Sequence, residues 1–200
     1  MTPRTRAEPM APEERRRAIL DAIIPLLIEV GPSGLTTVKI AEAAGVAEGT
    51  IFRAFKDKSS LLQQACTASL DPAPTLERLE AIDSDLPLED QLREAAMIIV
   101  EKHERFHALA GVLRTLPPSP ARLKDARKAG IEANSVISER LTRLFSQHSD
   151  DLAVKPGIAA AAFRGLLYAV HPPLSDPKER ITIDEAIAIL LDGVLAKEAD

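Results

Sequence analysis

Apolar positions step by threes and fours along almost the whole chain, which is the period of an α-helix. Pro12 suits a first helical position, and Ile19, Ala22, Ile23, Leu26, Leu27 and Val30 follow it at helical spacing. Pro25 sits inside that run and predicts a kink, because it lacks a backbone N–H. Gly31 and Pro32 predict its end. Further on, Leu61, Leu62 and Ala65 mark a helix over 58–70, with Asp57 placed to cap it. A short helix is expected over 75–82. A longer one is expected over 88–116, with Leu92, Ala95, Ala96, Ile99, Phe106 and Leu109 along it and Gly111 placed to divide or bend it. Pro120 opens another that runs to about Gln147. Gly157–His171 is strongly apolar, and Thr182 with Glu185 forms a capping box for the last helix. The pattern is all-α.

One stretch breaks the rhythm. Residues 36–58 read TTVKIAEAAGVAEGTIFRAFKDK. A short helical run carries Ile40, Ala41 and Ala44 on one side, Gly45–Val46 interrupts it, and a second run carries Ile51 and Phe55. Gly45 takes a left-handed conformation without steric cost. Two short helices joined through a glycine form a helix-turn-helix, although spacing alone fits an ordinary αα-hairpin equally well. If the second run enters a DNA major groove, its first residues face the base edges. These are Ala47, Glu48, Gly49 and Thr50, with Arg53 one turn on. Arg53 suits guanine, Thr50 a phosphate or a thymine methyl, and Glu48 the amino group of cytosine.

Composition modifies this reading. The chain is 46% hydrophobic and 28% charged over 200 residues, enough to bury a core. No apolar run approaches the ~20 residues of a membrane span, and no secretory leader is recognisable. A single cysteine, Cys66, excludes an internal disulfide and fits a reducing cytoplasm. The net charge of −5 is unevenly spread. Residues 1–63 hold nine lysines and arginines against eight acids, and the remainder holds sixteen against twenty-two. A DNA-binding half so nearly neutral must rely on a few well-placed cations and on dimerisation. Residues 1–11, with Arg4 and Arg6, are expected to be a disordered arm.

The residues Gly34, Thr36, Thr37, Ile40, Ala41, Ala44, Gly45, Val46, Gly49, Thr50, Ile51, Phe52, Phe55, Lys58 and Leu61 resemble the DNA-binding signature of the tetracycline-repressor (TetR) family of bacterial transcriptional regulators. The resemblance covers about a quarter of the chain. It implies that the Thr36 and Thr37 hydroxyls and Lys58 meet DNA phosphates. Thr36 is also placed to cap its own helix. Ala47 stands where the family has serine, which removes a cap worth ~1 kcal/mol. Phe52 stands where tyrosine is usual, so its contact with DNA is through the ring alone.

The expected organisation is a disordered arm (1–11), a helix-turn-helix domain (12–60) and a ligand-binding and dimerisation domain (61–200). The last two helices are apolar nearly all round, which predicts a two-fold dimer with a four-helix interface. Phe163, Leu166, Leu167, Val170, Ile187, Leu190, Leu191 and Val194 are its expected residues, and the resemblance implies the same pair. Met97, Ile98, Phe106, His107 and Leu113 are candidates for a ligand cavity, against the plainer reading that they are core. His103 and His107 have a metal-ligand spacing but no evident third ligand, and no cofactor is expected. The function expected is a cytoplasmic, ligand-responsive repressor, not an enzyme, whose partners are double-stranded DNA, a second copy and a small apolar or amphipathic effector. A sequence-indifferent architectural DNA-binding protein is the alternative, since no nucleophile elbow, phosphate loop or metal cluster supports an enzyme.

Overall fold

The computed structural model describes residues 11–113, 120–170 and 180–195, and the expected N-terminal arm lies almost wholly outside them. The described residues form α1 (Pro12–Gly34), α2 (Thr37–Ala43), α3 (Glu48–Ala54), α4 (Lys58–Ala68), α5 (Ala73–Glu80), α6 (Leu88–Leu113), α7 (Pro120–Ser146), α8 (Pro156–Val170) and α9 (Ile183–Val194). No strand occurs among them, so the fold is all-α as the periodicity predicts. None of their helices is long and apolar enough to cross a membrane.

Two compact units result: Met1–Ala68 with Ala108–Pro118, and Ser69–His107 with Ser119–Asp200. The first boundary falls at Ala68 rather than at residue 60. The reason is burial, because Leu61, Leu62, Ala65 and Cys66 of α4 lie in one core with Ile19, Ile23 and Leu27 of α1. Leu35, Ile40, Ala41, Ile51 and Phe55 complete that core.

The expected kink at Pro25 does not form. The backbone stays helical there and breaks at Gly31, whose φ is 68°. Pro25 is on the solvent side, so water can take the carbonyl that its missing N–H leaves unbonded. Gly31 adopts a positive φ at no side-chain cost. Gly111 likewise neither divides nor bends α6 into separate elements.

The second unit is built on a core of its own, with Leu92, Ala95, Ala96 and Ile99 of α6 against Ile137, Leu141 and Phe145 of α7. Phe145 meets Phe163 of α8 edge-to-face, with centroids 6.1 Å apart. Among the described residues Gln91 is the buried polar side chain of this unit. Its amide donates to the Leu86 carbonyl at 2.7 Å and the Ser84 carbonyl at 3.2 Å, and lies 3.2 Å from His148 Nε2. The Thr182–Glu185 capping box forms as expected, with both reciprocal bonds present.

This core requires a correction to the expected interface. Phe163, Leu167, Ile187, Leu190 and Val194 are buried inside the single chain. Leu166, Val170 and Leu191 are partly buried against the same core. The first five face this core because α8 packs on α7 and α9 packs on α8. What α8 leaves outward is a stripe of small residues, Ala161, Ala162 and Gly165, between two larger ones, Ile158 at its start and Tyr168 near its end. On α9 the corresponding outward apolar residue is Ile189.

Cys66 illustrates what burial does in the first unit. Desolvation pushes its thiol up from 9.0 to about 11. In the unfolded chain the thiol would ionise near 9.0, so the folded state holds its proton longer. Stability should therefore be unaffected by this group below pH 9.0 and fall as pH rises from there toward 11. Chemical denaturation at stepped pH measures this. A thiol reagent at neutral pH should label the native protein slowly and the denatured chain at once.

Candidate nucleic-acid interface

The α2–α3 turn is set by Gly45. Its φ of 66° lies in the left-handed region. The Gly45 N–H donates to the Glu42 carbonyl at 3.1 Å and the Val46 N–H to the Ala41 carbonyl at 2.9 Å. This pair of bonds is the Schellman closure of a helix C-terminus. Val46 packs against the first unit's core as the apolar peg of the turn. At the other end of α2, the Thr36 hydroxyl accepts from the Lys39 N–H at 3.2 Å, so the expected cap is present.

α3 has two faces. Inward, Ile51 and Phe55 are 2% and 3% exposed and hold the helix on the core. Outward, Ala47, Glu48, Gly49, Phe52 and Arg53 are exposed and Thr50 is half-buried. Phe52 is 56% exposed, a large apolar cost unless something covers it. Nothing in the protein crowds Gly49, since a Cβ there would meet open space. Ala47 makes no side-chain cap, as the sequence indicates.

One contact at this surface was not legible beforehand. The Thr37 hydroxyl donates to Glu48 Oε1 at 2.6 Å. It joins the first turn of α2 to the first turn of α3 and fixes where the Glu48 carboxylate points. A hydroxyl has one proton. While it is given to Glu48, Thr37 cannot donate it to a phosphate.

Lys58 is also engaged. Its ammonium donates to the Leu35 carbonyl at 2.5 Å. Two N–H donors remain on it, so the bond places a positive charge beside Thr36 with capacity to spare. Asp57 caps α4 as expected, its Oδ1 accepting from the Ser60 N–H at 2.6 Å.

Sequence reasoning missed Arg16. Its guanidinium donates to the Ala54 carbonyl at 2.6 Å and to the Gln64 side chain, and it lies over the Phe55 ring, 4.5 Å from the centroid. One residue thus ties α1 to the end of α3 and to α4. A signal existed: Arg16 falls three and seven residues before Ile19 and Ile23, on the apolar stripe of α1, where a charge needs a partner.

The ligand-cavity candidates are not gathered. Met97 and Phe106 are 51% and 47% exposed, whereas Ile98 lies in the second unit's core. His107 is half-buried and in edge contact with Phe106. The Leu113 side chain lies outside the described residues. His103 stacks on Tyr168, with centroids 4.4 Å apart. No group of three metal-ligating side chains occurs among the described residues.

Comparison with known proteins agrees with this geometry. Residues 19–65 match the sequence model described as "Bacterial regulatory proteins, tetR family". The HTH-type transcriptional regulator YvkB of Bacillus subtilis is 48% identical over 54 residues, 27% of this chain and 28% of that protein. The chain thus spans little more than a quarter of that relative's length. The tetracycline repressor protein class A from transposon 1721 of Escherichia coli is 26% identical over 195 residues, 88% of each chain. A crystal structure of a TetR-family transcriptional regulator from Mesorhizobium loti superposes with a TM-score of 0.60 at 16% identity, covering 94% of this chain and 100% of that one. At that identity the likeness is one of fold.

Removing Arg16 should loosen α3 without touching its outer face. Arg16→Met leaves the Ala54 carbonyl without its side-chain donor and removes the cation over Phe55. A loss of ~1–3 kcal/mol is expected from denaturant unfolding. Gly45→Ala should cost ~1 kcal/mol by forcing a side chain into the left-handed region.

Proposed function

We propose that this chain, whose residues 19–65 match the tetR-family sequence model, is a TetR-family, ligand-responsive repressor that binds a palindromic operator as a homodimer. One observation carries the reading. α3 is locked on its inner face by Ile51, Phe55 and Arg16, while its outer face presents Gly49, Phe52 and Arg53 to solvent with no protein partner among the described residues. A short helix so held is preorganised for the major groove.

In that groove Arg53 pairs with guanine, and Thr50 contacts a phosphate or a thymine methyl. Glu48, aimed by Thr37, accepts from a cytosine amino group. The capped N-terminus of α2 and the Lys58 ammonium take phosphates on either side. Gly49 lets the backbone come close, and Phe52 covers its ring against the sugar–phosphate wall. Few cations are involved, so the salt dependence of binding should be shallow for a regulator of this size.

The dimer forms through the outward stripe of α8, Ile158, Ala161, Ala162 and Gly165, with Ile189 of α9. Small residues let two helices approach closely, and two such pairs complete a four-helix interface. An apolar or amphipathic effector bound by the second unit favours a dimer whose half-site spacing no longer fits DNA. The protein works in the cytoplasm, and the reading involves no catalysis.

A gel shift on the region upstream of its own gene tests the proposal. A palindrome in that region should be retarded. Arg53→Ala should weaken binding by 1–3 kcal/mol, about tenfold or more. Absence of a shift at any palindrome, even at low salt, overturns the reading. By sedimentation, Ala162→Arg should give a folded monomer that has lost operator binding, because the site is exposed and the charge would meet its own symmetry mate.

A further inference from the structure

Lys102 on α6 and Arg164 on α8 form a pair of cations that no acid answers among the described residues. Both are half-buried. Neither makes a hydrogen bond or an ion pair among the described residues. Glu101, next to Lys102 on α6, is already engaged by Arg78 at 2.5 Å and Arg105 at 3.9 Å. The stacking of His103 on Tyr168 brings α6 and α8 together at this point. His103 follows Lys102 directly, and Arg164 precedes Tyr168 by one helical turn on the same face. Burial, and then the charge of Arg164, pull the Lys102 ammonium below its ordinary range. An arrangement that taxes its own charge and has no counter-ion among the described residues is stabilised by an external one. The surroundings are apolar as well: Phe106, one turn on from Lys102, is 47% exposed, and Tyr168 is 44% exposed.

We propose that Lys102, His103, Arg164 and Tyr168 form a subsite for an organic acid, whose carboxylate sits between the two cations and whose apolar body lies against Phe106 and Tyr168. The site deepens the effector reading above and narrows the effector to an amphipathic anion. It rests on that reading only for its purpose, since the binding itself is measurable without DNA. All five residues belong to the second unit.

The chain has one tyrosine and no tryptophan, so its tyrosine emission reports Tyr168 alone. The full-length protein is titrated with cyclohexanecarboxylate, with its neutral analogue cyclohexylmethanol and with inorganic phosphate, none of which absorbs where tyrosine is excited. Saturable quenching or enhancement is expected with the carboxylate, and at least tenfold weaker response with the alcohol. Lys102→Gln and Arg164→Gln should each weaken the carboxylate about tenfold, the size of one charge-assisted bond, while far-ultraviolet circular dichroism stays unchanged. Lys102→Arg, which keeps the charge, should retain binding. Equal affinity for the carboxylate and the alcohol, or equal affinity in wild type and the Lys102→Gln/Arg164→Gln double variant, would overturn the anion site. Inorganic phosphate binding as tightly as the carboxylate would overturn the role of the apolar body. A chain that shifts DNA but binds none of the three probes leaves the regulator reading standing and removes this one.

Discussion

What α3 offers outward depends on how firmly its inner face is held. Seven residues of helix cannot be stable alone, because nucleation fixes several residues for each bond gained. Here Ile51 and Phe55 anchor it to α1, α2 and α4, and Gly45 fixes its angle to α2. Arg16 adds a constraint that apolar packing lacks, which is direction. Its planar guanidinium meets a carbonyl at the end of α3, a side chain of α4 and an aromatic face at once. Hydrophobic contact is non-directional. A polar clamp across three helices sets register.

The same unit is electrostatically thin. Its few cations are partly occupied within the protein, Arg16 on Ala54 and Lys58 on the Leu35 carbonyl. A single copy therefore has little to offer the phosphate backbone, and the Glu48 carboxylate subtracts from that. In the dimer proposed above, two weak readers bind with the effective concentration of a tethered pair. The Thr37–Glu48 bond also turns an apparent liability into a positioned acceptor, since a carboxylate held at a fixed point can discriminate against bases that lack a donor there.

The second unit shows the opposite economy. Its core takes most of the large residues of α8 and α9, leaving alanine and glycine outward along the middle of α8. Large side chains gain most from burial in one's own core, whereas small ones lose little by exposure and let another helix come near. Lys102 and Arg164 stand apart from this logic. They are placed where the solvent's help is reduced and no acid among the described residues compensates, and such departures from internal consistency concentrate at sites that serve something external.

Much was legible in the sequence. Periodicity placed the helices, and their bounds moved by only a few residues. The caps at Thr36, Asp57 and Thr182 and the positive φ of Gly45 followed from local chemistry, which acts over three or four residues and so is written in order along the chain. Other features were not. Pro25 was expected to kink α1, but whether a proline breaks a helix depends on which side faces water, and that is a tertiary fact. The apolar residues of α8 and α9 were assigned outward because their stripes looked too wide for one core. The chain's own helices, α7 on α8 and α8 on α9, cover more of them than a wheel of one helix reveals. Arg16 could be seen on an apolar face, but its partners lie 38 and 48 residues away. The order of residues by itself determined which segments are helical, where they stop and that one pair resembles a DNA reader. Only the packing of distant segments decided which faces are left to meet a partner, because burial is a property of neighbours in space.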